Sequence, residues 1–300
     1  MKEMGLVIGI LLVLFIQNGL AQNEITAKLP ANGAVGVNTG ILRWSGREGV
    51  RYDLYFGLVP NPELFKSDLE ASEVKPVVLE LNKKYYWKVE EKKDGKVIRS
   101  SKVFSFTTLP VVLNPAVGYT PFVDERDYTV YWTLAINGTV WFAQNLDYAL
   151  IDLSWYYDNS STNKVYGRLY SGHALKTKRD SICPAGWHIP AQQEWTSLIN
   201  ESGGIKTAGI QWKEASNLYW RNSSNVRNNK SGLTVLPAGS RDSKPSFANL
   251  GKYTFFWTST PSPKMPDSFY NFNIGFMRDQ VILESGDPAW SYSIRCVKDK

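Results

Sequence analysis

The chain has 300 residues, 34 Lys and Arg against 28 Asp and Glu for a formal charge of +6, and a hydrophobic content of 43% with 11 Trp among its aromatics. That balance excludes a disordered or collagen-like chain, and the length suits two domains. Two His and two Cys exclude zinc-finger, haem-attachment and His-cluster metal sites, and basic residues interleaved with acidic ones argue against nucleic acid as a partner.

Residues 1–21 read as a cleavable secretory signal. Lys2 opens it, an apolar run follows from Met4 to Ile16, and the small residues Gly19 and Ala21 stand before Gln22. The run is short for a membrane span, although an uncleaved N-terminal anchor is the competing reading. No Cys follows it, so lipid attachment there is excluded, and no later stretch is long enough to span a bilayer. The expectation is cleavage after Ala21 and a secreted or cell-surface protein without a membrane span after signal removal.

From 24 to 109 short alternating segments separated by turns predict an all-β sandwich. They are Gly40–Trp44, Arg51–Gly57, Tyr85–Glu90 and Val103–Thr107, with the hairpin-forming Asp94-Gly95 among them. Leu81, Tyr85-Tyr86-Trp87 and Val89, with Pro30–Ala34, Trp44 and Phe104–Thr108, resemble bacterial fibronectin type III domains. The resemblance implies a spacer or weak binding platform. Lys83, Lys84, Lys88, Lys92, Lys93 and Lys96 alternate with Glu80, Glu90, Glu91 and Asp94, which reads as a solvated face. Residues 110–116, with Pro110 and Pro115, are expected to be a stiff linker.

Residues 117–300 form the second domain. Tyr128–Leu134 and Thr139–Ala143 flank Asn137-Gly138 as a hairpin, and Trp195, Leu198 and Ile199 recur at helical spacing until Gly203-Gly204 stops them. From about Lys213 to Tyr253 the Asn, Ser, Gly and Arg content predicts mostly loop.

Within this stretch Tyr166-Gly167-Arg168-Leu169-Tyr170, Cys183–Pro190, Glu194-Trp195, Leu236–Gly239, Phe256–Thr260 and Ser293–Asp299 resemble, in order and spacing, the motifs of the Fibrobacter succinogenes major paralogous domain. Trp141–Leu146 fits as well, with Gln144 in place of an acidic residue, whereas Ser171–Ala174 departs from the pattern and suggests altered local packing. The resemblance implies a secreted or surface protein of Bacteroidetes-like bacteria, with no established activity. It also implies an α+β fold of the C-type-lectin-like kind, whose first and last strands pair and which carries one long irregular loop region. The fold class expected for the whole chain is thus an all-β, fibronectin III-like sandwich followed by an α+β C-type-lectin-like domain.

Cys183 and Cys296 are the only cysteines, and export favours their oxidation to a disulfide; a reactive thiol is the other reading. His188 reads as a hydrogen-bonded structural residue, and Glu194 as a carboxylate at a helix N-terminus. Paired-carboxylate hydrolysis would need two of Asp147, Asp158, Asp242, Asp267, Asp279 and Asp287 to converge, and nothing in the sequence indicates that. Trp155-Tyr156-Tyr157-Asp158-Asn159 reads as core packing or a sugar-stacking patch, and its two polar residues could serve calcium.

The function expected is an exported binding or adhesion protein without catalysis or cofactor. Its partner would be a polar ligand, a glycan or a surface protein. The site falls in the loop region: Tyr219, Trp220, Arg221 and Asn222 supply an aromatic plate beside polar groups, with Arg241 reaching the same face. The alternatives are an enzyme on a lectin-like scaffold, which requires convergent acids or a metal, and a structural matrix component.

Overall fold

The computed structural model describes residues 24–221 and 227–300, over which the chain is mostly β-strand with few helices. The leader and Asn222 lie outside the described residues. The chain divides into two compact units, the first made of residues up to Val37 with Ile41–Val77 and Lys83–Thr108, the second of Asn38–Gly40, Val78–Asn82 and Leu109–Lys300.

In the first unit β1 (Ala27–Leu29), β3 (Leu42–Trp44) and β6 (Glu73–Val74) form one sheet in the order β1-β3-β6. The other sheet runs β2 (Ala34–Val37), β9 (Phe104–Thr108), β7 (Lys84–Lys93), β4 (Arg51–Gly57), β5 (Leu64–Leu69), with β8 (Lys96–Ser100) also pairing with β7. Alternation along β7 buries Tyr85, Trp87, Val89 and Glu91. Trp44 of the smaller sheet meets Tyr52 and Trp87 of the larger at ring distances of 5.4 and 6.5 Å, so the two sheets share one aromatic core. Glu91 is fully buried in this interior, and Arg47 and Arg99 both pair with it, which meets the requirement that a buried carboxylate be compensated. Asp94 and Gly95 both take positive φ, as a two-residue turn between β7 and β8 demands. A fragment spanning 24–109 is expected to melt cooperatively, with near-UV circular dichroism from its packed Trp; a featureless, non-cooperative melt would place the boundary elsewhere.

The second unit begins earlier than expected. Residues 110–116 are no free linker, because Val111 is buried with Leu109 and Leu236 in a small apolar cluster. β10 (Thr120–Asp124), β11 (Thr129–Ile136) and β12 (Thr139–Phe142) form a meander, and Asn137-Gly138, both at positive φ, makes its second turn. The first and last strands were expected to pair. Instead the last strand, β22 (Val297–Lys298), lies between β12 and β15 (Trp187–His188), because β11 occupies the inner edge of β10 and β12 presents the open edge. A second sheet runs β13 (Ser154–Trp155), β14 (Leu169–Ser171), β21 (Ser291–Tyr292), β16 (Ser240–Arg241), β17 (Phe247–Ala248). A third contains β18 (Tyr253–Pro261), β19 (Phe269–Gly275) and β20 (Val281–Ser285).

The helix expected from periodicity is present as Gln192–Glu201 and buries Trp195, Leu198 and Ile199. A second, Gly172–Ile182, begins where the family motif is broken, and the Ser171 hydroxyl caps it by accepting from the Ala174 amide at 3.2 Å. A short one, Ala208–Trp212, completes the α-helices among the described residues; in chain order they are α1, α2 and α3. With strands this short, large rings fill the interior. Trp195 touches Trp141, Trp212 and Phe256 at 5.0, 5.8 and 5.1 Å, and Leu233 and Val235 of the irregular region join the same cluster.

Candidate functional site

The string Trp155–Asn159 leaves the second sheet at its β13 edge. Asp158 and Asn159 then take left-handed φ of 53° and 52°, a conformation these two residue types tolerate, and the chain turns sharply away. Arg241 lies on β16, whose hairpin to β17 is closed by Asp242: its Oδ1 accepts the amides of Lys244 and Ser246 at 2.8 and 3.0 Å. The Arg241 guanidinium lies 3.9 Å from the Trp155 ring and 5.8 Å from that of Phe247, and Phe247 in turn meets Tyr157 at 5.3 Å. Gly239 is required here, since it holds φ of 71° and a Cβ would come within 2.9 Å of the Tyr157 ring. All four side chains are half-buried, and Asp158, Asn159, Lys244 and Ser246 are exposed around them.

The charges of this cluster are unequal. Arg168, which lies 4.0 Å over Tyr156 on the adjoining segment, is balanced by Asp147 at 3.7 Å. Arg241 makes no ion pair with a carboxylate among the described residues, and its Nε is buried without an acceptor. Burial pushes its pKa below the ordinary value, against the opposing charge of Asp242. A half-buried guanidinium among three half-buried aromatic rings can stack and hydrogen-bond a polar ligand.

Arg241 was expected beside Trp220, and the structure corrects this. Trp220 is 1% exposed and donates Nε1–H to the Val235 carbonyl at 2.9 Å, so it anchors the irregular region from within the core and offers no plate to a ligand. The Tyr219 hydroxyl donates to the Pro110 carbonyl at 2.5 Å, and Arg221 lies 5.7 Å from Phe276. Asn222, as noted, falls outside the described residues. The polar composition of the loop was misleading because regular layers here are too small to close the core, and loop side chains must do so.

Cys183 and Cys296 form a disulfide with Cα atoms 5.9 Å apart, joining the end of α1 to the residue before β22. Beside it stands a cluster that sequence reasoning missed. His188 was read as a hydrogen-bonded structural residue without its partners being named: its Nδ1 lies 2.6 Å from Asp299 Oδ1 and its Nε2 3.1 Å from both Glu194 oxygens. Glu194 Oε2 also accepts the Ala191 amide at 2.8 Å, as its place in the first turn of α2 implies. Asp299 is 111 residues from His188, and only the pairing of β15 with β22 brings them together. Four of the scattered acids have partners of their own: Asp267 pairs with Lys176 at 2.6 Å, Asp279 lies 3.7 Å from Lys213, and Asp147 and Asp242 are engaged as above. Among the described residues no group of three or more His, Cys, Asp or Glu is placed to hold a metal ion, and no helix is long and apolar enough to cross a membrane.

Burial opposes the charged form of His188, but the hydrogen bonds to Asp299 and then Glu194 outweigh it and raise its pKa above 6.5. A base whose pKa is raised on folding stabilises the fold fully below its unfolded pKa, and that stability is lost as pH climbs through the folded value. The side chain is 40% exposed, so solvent keeps the effect modest. Melting temperature is therefore expected to fall slightly between about pH 6 and 8 in the native protein and to stay flatter in His188→Gln. An equal fall in both would remove the cluster from the pH response.

A family model described as the Fibrobacter succinogenes major domain matches residues 134–298, more than half of the chain. No curated protein matches the sequence, and no solved structure does.

Proposed function

The chain belongs to the Fibrobacter succinogenes major domain family, and from that premise we propose that it is an exported binding protein whose second unit captures a polar ligand without chemical change. The observation that carries this reading is the half-buried cluster of Trp155, Tyr157, Arg241 and Phe247, flat rings and one guanidinium on a single face. Both ring nitrogens of His188 are engaged by carboxylates, which suits a structural clip better than a general base. The first unit serves as a fibronectin III-like spacer: its two sheets, the parallel pairing of β2 with β9 and the shared Trp core support that assignment. Short strands, two longer helices, an irregular yet buried loop region and a disulfide reaching the last strand support a C-type-lectin-like second unit. Cleavage after Ala21 and a secreted or cell-surface location complete the proposal.

The test is a saccharide panel presented to the mature protein. Saturable binding is expected, and Trp155→Ala should weaken it by about tenfold or more, a loss of roughly 1.4 kcal/mol or greater, while leaving the melting temperature close to native. Phe247→Ala provides a second lesion on the same face should the first disturb folding. Full affinity in both variants, or no saturable ligand in the panel, would overturn the reading.

A further inference from the structure

We infer that the ligand of the Trp155–Arg241 face is an acidic saccharide, one carrying a carboxylate on its sugar ring; this rests on the binding role proposed above and adds the ligand's charge. Three observations carry it. Arg241 has no carboxylate within ion-pair distance among the described residues, although Arg168 on the neighbouring ring has Asp147. The nearest acid in sequence, Asp242, has its Oδ1 committed to the Lys244 and Ser246 amides of the hairpin and does not pair with Arg241. The Arg241 guanidinium stacks on the Trp155 ring at 3.9 Å with its Nε buried and without an acceptor, while the side chain as a whole stays half-buried, so its charge is held at the surface without a counter-charge.

A planar guanidinium offers parallel N–H donors that match the two oxygens of a carboxylate. The half-buried rings of Trp155, Tyr157 and Phe247 border the guanidinium with apolar surface that the C–H groups of a pyranose ring can cover, and the exposed Asn159 and Ser246 can meet its hydroxyls. A neutral sugar would satisfy the rings and leave the charge uncompensated. A simple anion would satisfy the charge and leave the rings uncovered. A uronate answers both.

The experiment measures binding of the mature protein to polygalacturonate, to a neutral galactan of similar length and to polyglutamate, at low and at physiological salt. The expected result is a preference of about tenfold or more for polygalacturonate over galactan, weakened by salt and absent for polyglutamate. In Arg241→Gln the ratio of the two saccharide affinities should fall towards one; Arg241→Lys, which keeps the charge and loses the fork, should fall between, and it decides the matter if the Gln variant fails to fold. Equal affinity for the two saccharides, or a preference that survives loss of Arg241, overturns the acidic ligand and leaves the binding role standing. Polyglutamate binding as tight as polygalacturonate overturns the saccharide. Failure to bind either saccharide, with no other sugar captured, takes the proposed function with it.

Discussion

Cys296→Ser is expected to lower unfolding free energy by about 4–5 kcal/mol. The cross-link closes a loop of 113 residues, and in the chain-entropy account that loop is what the disulfide denies to the unfolded chain. It encloses β15, α2, α3 and the strands from β16 to β21, so more than half of the second unit lies within the cross-linked loop. The lone Cys183 thiol left behind stays in an apolar cluster with Ile182, Trp187 and Ile294 and adds little cost of its own. Urea unfolding of Cys296→Ser, Cys183→Ser and the double variant should give three similar midpoints, all well below native. A midpoint unmoved by substitution or by reductant would show that the bridge does not contribute to stability.

Arg295→Met should cost about 3–5 kcal/mol. Arg295 is 1% exposed, and burial pushes its pKa well below the ordinary value. Its guanidinium donates to Asn145 Oδ1 at 2.9 Å and to the carbonyls of Phe142 at 3.1 Å, Thr234 at 3.2 Å and Leu233. Phe142 ends β12, while Leu233 and Thr234 belong to the irregular region, so one side chain fastens that region to the first sheet of the unit. Met fills a similar length and returns none of the donors, leaving buried carbonyls unpaired at about 1–3 kcal/mol each before relaxation. Arg295→Lys, with one charged nitrogen in place of a planar fork, should lie between Met and native. The same urea series reads the effect; a Met variant as stable as native would mean that water or neighbouring donors replace the guanidinium.

Elements whose signal is local were legible. The Asp94-Gly95 and Asn137-Gly138 turns need positive φ at both residues, and those residue types announce it. Helix α2 declared itself because Trp195, Leu198 and Ile199 return to one face. Helix α1 did not: His173, Lys176, Thr177, Lys178 and Arg179 face solvent, and only Ala174, Leu175 and Ile182, with Gly172, are buried, too thin a stripe to stand out. The loop reading of 213–253 was right about irregular backbone and wrong about what its side chains do, as Trp220 shows.

By itself, then, the sequence determined the family, through short motifs in a fixed order and spacing, and the two-part organisation, the hairpins and the one available cysteine pair, through local residue patterns and a count of two. Tertiary structure decided which side chains meet. Trp155 and Arg241 stand on strands separated by β14 and β21, and His188 reaches Asp299 only across β15 and β22. Strand order in sheets made of two- and three-residue strands is set by which aromatic surfaces can be buried together, a condition on the whole core that no local pattern records.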